Sequence, residues 1–332
     1  MSSIKPPKTP AELGLLSYEE VLDKTYNYII QRRDGDIKSL KTPWAKFNSQ
    51  LMGGIEWNTL TVIGGRSASG KSLMANMITS GAFDCNPDQD FAVLDFQFEM
   101  LARSTGLRSI SAKTGIPHRN FASVNDPISD DDLNAARKYI EEHKHREIYV
   151  AERPQTVDKM YETIENFCRY MNKHVLVTVD HSLLIKKDSS ESSQLAMLFN
   201  LGNMLAEARR KLPISVILLS QLNRDIDSQG RMEEGTIGNY VKDSDIYGSD
   251  ALLQFSDVLI GINRPMKNDI RYYGPRGYLM TDNTIAAHFL KVRNGKTGLL
   301  FFEADFERAT MKEMEKIPHT MKEAKEAAKM KK

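Results

Sequence analysis

The chain has 332 residues, 41% of them hydrophobic and 27% charged; this length and balance allow a sizeable core and exclude collagen-like, disordered and disulfide-scaffold classes. Lysine plus arginine number 45 and aspartate plus glutamate 44, so the net charge of +1 speaks against a uniformly basic nucleic-acid coat protein and leaves a local basic groove open. The two cysteines, Cys85 and Cys168, lie far apart without ligand-like neighbours at metal spacing, which fits a reducing compartment rather than a zinc cluster or a structural disulfide.

In chain order, residues 1–14 are rich in proline, lysine and serine and read as a flexible lead-in. They carry no apolar stretch of signal-peptide type. No later window approaches the ~18 uninterrupted apolar residues of a membrane span, so the expected location is the cytoplasm, with no membrane partner. Ser17-Tyr18-Glu19-Glu20 has the form of a capping box. The helix it opens carries Tyr18, Val21, Leu22, Tyr26, Ile29 and Ile30 at helical spacing and ends near Arg32–Asp36. One amphipathic helix cannot bury its face alone, so it must dock on its own domain or on a neighbouring subunit.

From Thr59 onward, short apolar runs alternate with helical stretches. The runs are Leu60–Ile63, Phe91–Phe96, Val175–Val179, Val216–Leu219 and Val258–Ile262; the clearest helices are Ser72–Ser80 and Gln194–Lys211. Strands separated by helices predict an α/β fold with a mainly parallel sheet flanked by helices. Late runs at Ala286–Val292 and Leu299–Glu303 flank Asn294-Gly295, a hairpin signal that predicts an antiparallel edge. The tail, Lys312–Lys332, is dense in lysine, glutamate and alanine and reads as a solvated or frayed end.

Gly65-Arg66-Ser67-Ala68-Ser69-Gly70-Lys71-Ser72 fits the phosphate-binding loop pattern G-x-x-x-x-G-K-[ST], with a strand before it and a helix after it. Glycines let such a loop curl so that its backbone N–H groups point at phosphate oxygens, and the helix N-terminus adds positive dipole. Lys71 is placed to reach the β- and γ-phosphates of ATP, and Ser72 to bind Mg²⁺. A metal-orienting carboxylate is expected on a neighbouring strand, and Asp180 ends the run from Val175. Glu99 follows the run from Phe91; if that strand lies beside the phosphate-loop strand, Glu99 faces the γ-phosphate as a general base. Gln221 ends the run from Val216 and is a candidate γ-phosphate sensor, although a polar residue at a strand end is often a simple cap.

In this order the phosphate loop, Phe98-Glu99-Met100, Val179-Asp180-His181, Ser220-Gln221-Leu222-Asn223-Arg224 and Lys291-Val292-Arg293-Asn294-Gly295 resemble the ATPase domain of DnaB-type replicative helicases, a RecA-like P-loop NTPase core. The resemblance runs from about Lys41 to Phe306. It implies a homo-hexameric ring with ATP at the subunit interfaces, Glu99 as catalytic base and Arg293 as a finger completing the neighbour's site, with Lys291 beside it. It implies that the first helix is the linker packing on an adjacent subunit. The expected division is lead-in and linker helix over 1–40, ATPase domain over 41–308 and charged tail over 309–332.

Three departures stand out. About 40 residues precede the ATPase domain, too few for the family's primase-recruiting domain, so contact with a primase or loader is expected to work differently. The family's DNA-gripping loop corresponds to Asp245-Ile246-Tyr247-Gly248-Ser249-Asp250, where Tyr247 replaces an arginine. His181 replaces the usual aromatic after the metal aspartate, a place where a histidine more often packs or hydrogen-bonds than catalyses. The resemblance points the loops Lys186–Ser193 and Asp225–Gly248 at the central channel, with Lys186, Lys187, Arg224, Arg231, Lys242 and Tyr247 as candidate contacts to single-stranded and forked DNA; the bland alternative is that the lysines are solvated charge. The expected function is a ring ATPase that translocates on single strands and unwinds duplex DNA. A RecA-like recombination or repair ATPase and a non-catalytic ATP-binding assembly or loading factor are the alternatives.

Overall fold

The computed structural model describes residues 8–188, 191–323 and 326. Residues 1–7 of the lead-in, 189–190 of the first candidate DNA loop, and 324–325 and 327–332 of the tail lie outside the described residues. The chain divides into two compact units, Met1–Ser39 and Leu40–Lys332. In the first, α1 (Tyr18–Asp34) starts from the expected capping box: Glu20 N–H donates to Ser17 Oγ at 3.1 Å, and Ser17 N–H donates to Glu20 Oε2 at 2.6 Å. Gly35, in the left-handed region at φ 82°, ends it. No residue of α1 is buried, so its apolar stripe, including Tyr18, Leu22, Tyr26 and Ile29, is exposed.

The second unit runs α2 (Ala45–Gln50), β1 (Leu60–Gly65), α3 (Lys71–Cys85), β2 (Phe91–Gln97), α4 (Ala102–Thr114), α5 (His118–Ala122), α6 (Asp130–His143), β3 (Ile148–Ala151), α7 (Val157–Met171), β4 (His174–Asp180), α8 (Gln194–Lys211) and β5 (Ile214–Gln221). It continues through α9 (Ser249–Phe255), β6 (Val258–Asn263), the two-residue strands β7 (Tyr272–Tyr273) and β8 (Tyr278–Leu279), β9 (Thr284–Val292), β10 (Gly298–Asp305) and β11 (Thr310–Glu313). Nine strands form one sheet in the order β11-β10-β9-β6-β1-β5-β4-β2-β3. The run from β6 to β3 is parallel and the β9-β10-β11 edge is antiparallel. Every residue of β1, β2 and β6 is buried, the continuous burial of strands covered on both faces. One face packs on Leu73, Met74 and Ile78 of α3. The other packs on Met160 and Ile164 of α7 and Leu198, Leu201 and Leu205 of α8. Among the described residues no helix is long and apolar enough to cross a membrane.

Three expectations change. The sheet does not stop at residue 308. β11 pairs with β10, the Trp44 indole N–H donates to Met311 O at 3.0 Å, and the Glu313 carboxylate accepts the Lys46 and Phe47 N–H groups at 2.8 Å each, capping α2. Asn294-Gly295 is not a two-residue turn, because five residues separate β9 from β10. A Cβ on Gly295 would lie 2.1 Å from Gln50 O, so this glycine makes room for a close backbone approach. Finally, β2 is not beside β1: β5 and β4 stand between them, and β5 separates β1 from β4.

Candidate active site

β1 leaves the sheet at Gly65. A Cβ there would fall 2.3 Å from Ser69 Oγ and 2.8 Å from Ile262, so the tight return of the loop admits only glycine. Gly70 sits at φ 100° and releases α3 from Lys71 onward, which turns the unpaired N–H groups of the helix start toward the loop. The buried Lys71 amine donates to Gly65 O at 2.7 Å and to Arg66 O at 3.1 Å. Burial pushes its pKa down, while the Asp180 and Glu99 carboxylates pull it back up.

The carboxylates arrive by different routes. Asp180 ends β4; burial raises its carboxyl from 3.8 to about 6, against a lowering hydrogen bond from Ser72. Its Oδ1 is buried without a partner among the described residues. Phe98 N–H donates to Asp180 O at 2.7 Å, which carries the chain across to Glu99 even though β2 is three strands from β1. Glu99 is exposed at the cleft wall. Beneath it, Asp95 accepts from Thr178 Oγ1 and, at 2.6 Å, from Gln97 Nε2, whose Oε1 accepts from Thr105 Oγ1 at 2.9 Å. This network ties β2, β4 and α4 together under the site, and burial holds the Asp95 carboxyl above its ordinary range. Gln221 pairs in register with Gly65 on the adjacent strand β5.

A cleft of about 470 Å³ gathers the phosphate loop with Glu99, Gln221 and His181. Ser72 also lines the small cavity behind it that Asp180 and Asp95 share. The pair Ser72–Asp180, with an orphaned carboxylate oxygen, suits a hard cation that shares its shell with phosphate oxygens. Among the described residues no cluster of three metal-ligating side chains exists, in keeping with a cation held partly by a nucleotide.

Sequence reasoning passed over several lining residues. The Arg264 guanidinium lies 4.1 Å from the centroid of the Phe306 ring at this cleft, a flat cationic face of the kind on which a base stacks. Arg108 of α4 and His118 of α5 also line it. Arg264 directly follows β6, at the same end of the parallel sheet as Gln221; its strand-end position was the available signal.

The remaining expected residues do not gather here. The Arg66 side chain turns away to Asp227, 2.7 Å distant, so it braces the loop while its backbone shapes the cradle. Lys291 and Arg293 lie at the far end of the sheet. Leu259 pairs with Lys291, whereas the phosphate loop begins beyond Ile262 and Gly65. The length of β1, roughly 17 Å at ~3.3 Å per residue, separates them from the cleft. There Arg293 binds Asp257 Oδ1 at 3.0 Å while staying 56% exposed, and its N–H donates to Asp257 O at 2.9 Å. Asp257 Oδ2 holds Arg209 and accepts Leu60 N–H at 2.9 Å, so the arginine is tied to the first residue of β1. Lys291 Nζ donates to Leu253 O at 2.5 Å. Burial, and Arg293 beside it, lower its pKa.

Of the candidate DNA contacts, Lys186, Lys187, Arg224 and Lys242 are exposed. Arg231 is not available. It pairs with the buried Asp245 and donates to Gly238 O at 2.9 Å and Tyr240 O at 2.7 Å, pinning the 225–248 loop. Tyr247 is half-buried against the core, and its N–H donates to Gln221 O at 2.8 Å, so it fastens the loop to the candidate sensor.

A family model described as the DnaB-like helicase C-terminal domain matches residues 39–312. Among solved structures, the ATPase domain of a DnaB-like helicase superposes with TM-score 0.75 at 20% identity, covering 90% of this chain and 99% of that one. A DnaB-like replicative helicase, described with its primase interactions, gives 0.74 at 20% identity, covering 90% of this chain and 67% of that one. A KaiC-like protein from Pyrococcus horikoshii gives 0.52 at 15% identity, covering 84% and 99%. These likenesses establish the RecA-like fold. No curated protein sequence matches the chain.

Proposed function

The chain belongs to the DnaB-like helicase C-terminal domain family, and on that premise we propose that it is an ATP-driven replicative DNA helicase working as a ring on single-stranded DNA. The observation that carries this reading is the split of the motif residues between two ends of one sheet. Lys71, Ser72, Asp180, Glu99 and Gln221 converge on one cleft, while Arg293 and Lys291 stand about a strand's length away. A second copy resolves the split: its far end closes the first copy's cleft, and repetition gives the expected hexamer.

Each side chain then has a task. Phosphate-loop N–H groups and Lys71 hold the β- and γ-phosphates. Ser72 and Asp180 hold Mg²⁺, which neutralises phosphate charge when bound. Glu99 orients the attacking water and accepts its proton. Arg264 and Phe306 offer a stacking face to the base. Arg293 of the adjacent copy meets the charge that develops on the transferred group, and Gln221 reports the γ-phosphate through Tyr247 to the 225–248 loop. Lys186, Lys187, Arg224 and Lys242 are exposed and supply a modest cationic lining for backbone tracking, with forked DNA as substrate and a primase or loader as further partner.

The test is DNA-stimulated ATP hydrolysis together with strand displacement. Both activities are expected, and Lys71→Ala abolishes both. Hydrolysis without displacement favours a recombination or repair ATPase, a reading helped by the withdrawal of Arg231 and Tyr247 into the protein's own packing. Nucleotide binding without hydrolysis favours an assembly or loading factor.

A further inference from the structure

Three buried polar atoms at the cleft lack a partner among the described residues: Ser69 Oγ, Asp180 Oδ1 and His181 Nε2. Such orphans are rare in native proteins and call for an explanation. A phosphate-binding loop accounts for Ser69, and a cation on the nucleotide accounts for Asp180. Neither accounts for His181.

The histidine is oriented by its other nitrogen. Nδ1 accepts the Leu183 backbone N–H at 3.2 Å. A neutral imidazole that accepts at one nitrogen carries its proton on the other, so Nε2 is an N–H donor. It is 3% exposed, lies at the wall that Lys71, Ser72, Glu99 and Gln221 share, and is not bonded to the equally unpartnered Asp180 oxygen. Lys71 also carries donors and no acceptor, and its amine here rests on the Gly65 and Arg66 carbonyls of its own loop. Two donors facing one cleft are satisfied together by an anionic oxygen, and a protonated Nε2 cannot serve as a base. A packing histidine would leave Nε2 against carbon or give it a protein acceptor.

We infer that His181 is a further catalytic residue, whose Nε2–H donates to a non-bridging oxygen of the terminal phosphate beside Lys71. The contact stabilises the charge that builds on that phosphate as its bond to the leaving oxygen breaks. This inference rests on the ATPase reading of the cleft.

The test compares His181→Phe, which keeps a flat packing surface, with His181→Gln, which keeps a side-chain N–H donor. Removing one preorganised donor lowers kcat by about 10²–10³-fold. The expected result is a drop of that order in His181→Phe, recovery to within about tenfold in His181→Gln, unchanged ADP affinity and weakened binding of a non-hydrolysable ATP analogue. Wild-type kcat in His181→Phe overturns the inference, as does equal loss of ADP and analogue binding with a lowered thermal midpoint. Lys71→Ala is measured alongside. If it still hydrolyses ATP, the ATPase reading fails; if it is inactive while His181→Phe turns over normally, only the role of His181 fails. Should His181→Phe not fold, the wild-type chain labelled with ¹⁵N-histidine decides. An Nε2–H resonance that moves with ADP plus aluminium fluoride but not with ADP supports the contact, and one indifferent to the fluoride contradicts it.

Discussion

The two ends of the parallel sheet differ in how far their polar groups are satisfied within one chain. At the phosphate-loop end, Ser69, Asp180 and His181 each keep a buried atom without a partner among the described residues, and Lys71 folds onto its own loop carbonyls. At the far end the signature cations are engaged: Arg293 and Arg209 share Asp257, and Lys291 rests on Leu253 O. The first end is shaped to receive a ligand. The second presents a cation that is exposed yet already aimed, because the Asp257 carboxylate and carbonyl both hold the Arg293 segment. Preorganisation of this kind makes a trans-acting charge effective, since little rearrangement remains when the other copy arrives.

The largest effect is expected from breaking the far end. Arg293→Ala lowers kcat for ATP hydrolysis by about 10³–10⁵-fold while nucleotide affinity is retained; steady-state turnover with a separate binding titration checks this, and a loss of affinity in place of turnover would move Arg293 out of catalysis. Glu99→Gln breaks the near end by about 10²–10⁴-fold, the usual worth of a positioned base, also with ATP still bound. Asp257→Asn loosens the aim. It leaves the nearly buried Arg209 without its ion pair, so stability falls by on the order of 3 kcal/mol, read as a lower thermal or denaturant midpoint.

A smaller effect follows from the raised Asp180 carboxyl. With its pKa at about 6, the group is protonated at lower pH and must lose that proton to hold a cation. The Mg²⁺ concentration for half-maximal hydrolysis therefore rises as pH falls through about 6, and a flat profile from pH 5 to 7 contradicts the assignment. The smallest effect sharpens the loop assignments. Joint neutralisation of Lys186 and Lys242 weakens single-strand binding and flattens its salt dependence, whereas Arg231→Ala disorders the 225–248 loop and leaves the salt slope nearly unchanged.

Much of the near end was legible in the sequence because its signals are local. A phosphate loop, buried strands with no polar alternation and a capping box each lie within a few consecutive residues. The assembly of those pieces was less legible. Strand order is a tertiary property, so the separation of β1 from β4 and β2 could not be read from apolar runs. β3 escaped because it is four residues long and half-exposed, without the continuous burial of the central strands. β11 lies beside a lysine-rich tail whose charge hid the apolar Met311 and the capping role of Glu313. The Arg264–Phe306 face joins residues from two distant strand ends, and no spacing rule links them. Arg231 and Tyr247 were misplaced for one reason: charge and aromaticity in a long loop suggest a partner, yet the loop needs such groups to hold itself together.

The central claim is that the two ends complete each other between copies, and a mixed-subunit experiment tests it most directly. Lys71→Ala subunits keep a working far end, and Arg293→Ala subunits keep a working near end. Each preparation alone is inactive. Mixed and reassembled, they are predicted to regain ATP hydrolysis, because interfaces form that pair an intact phosphate loop with an intact arginine. Hydrolysis that stays at the sum of the two backgrounds at every mixing ratio, in assemblies shown to contain both subunits, would contradict the account.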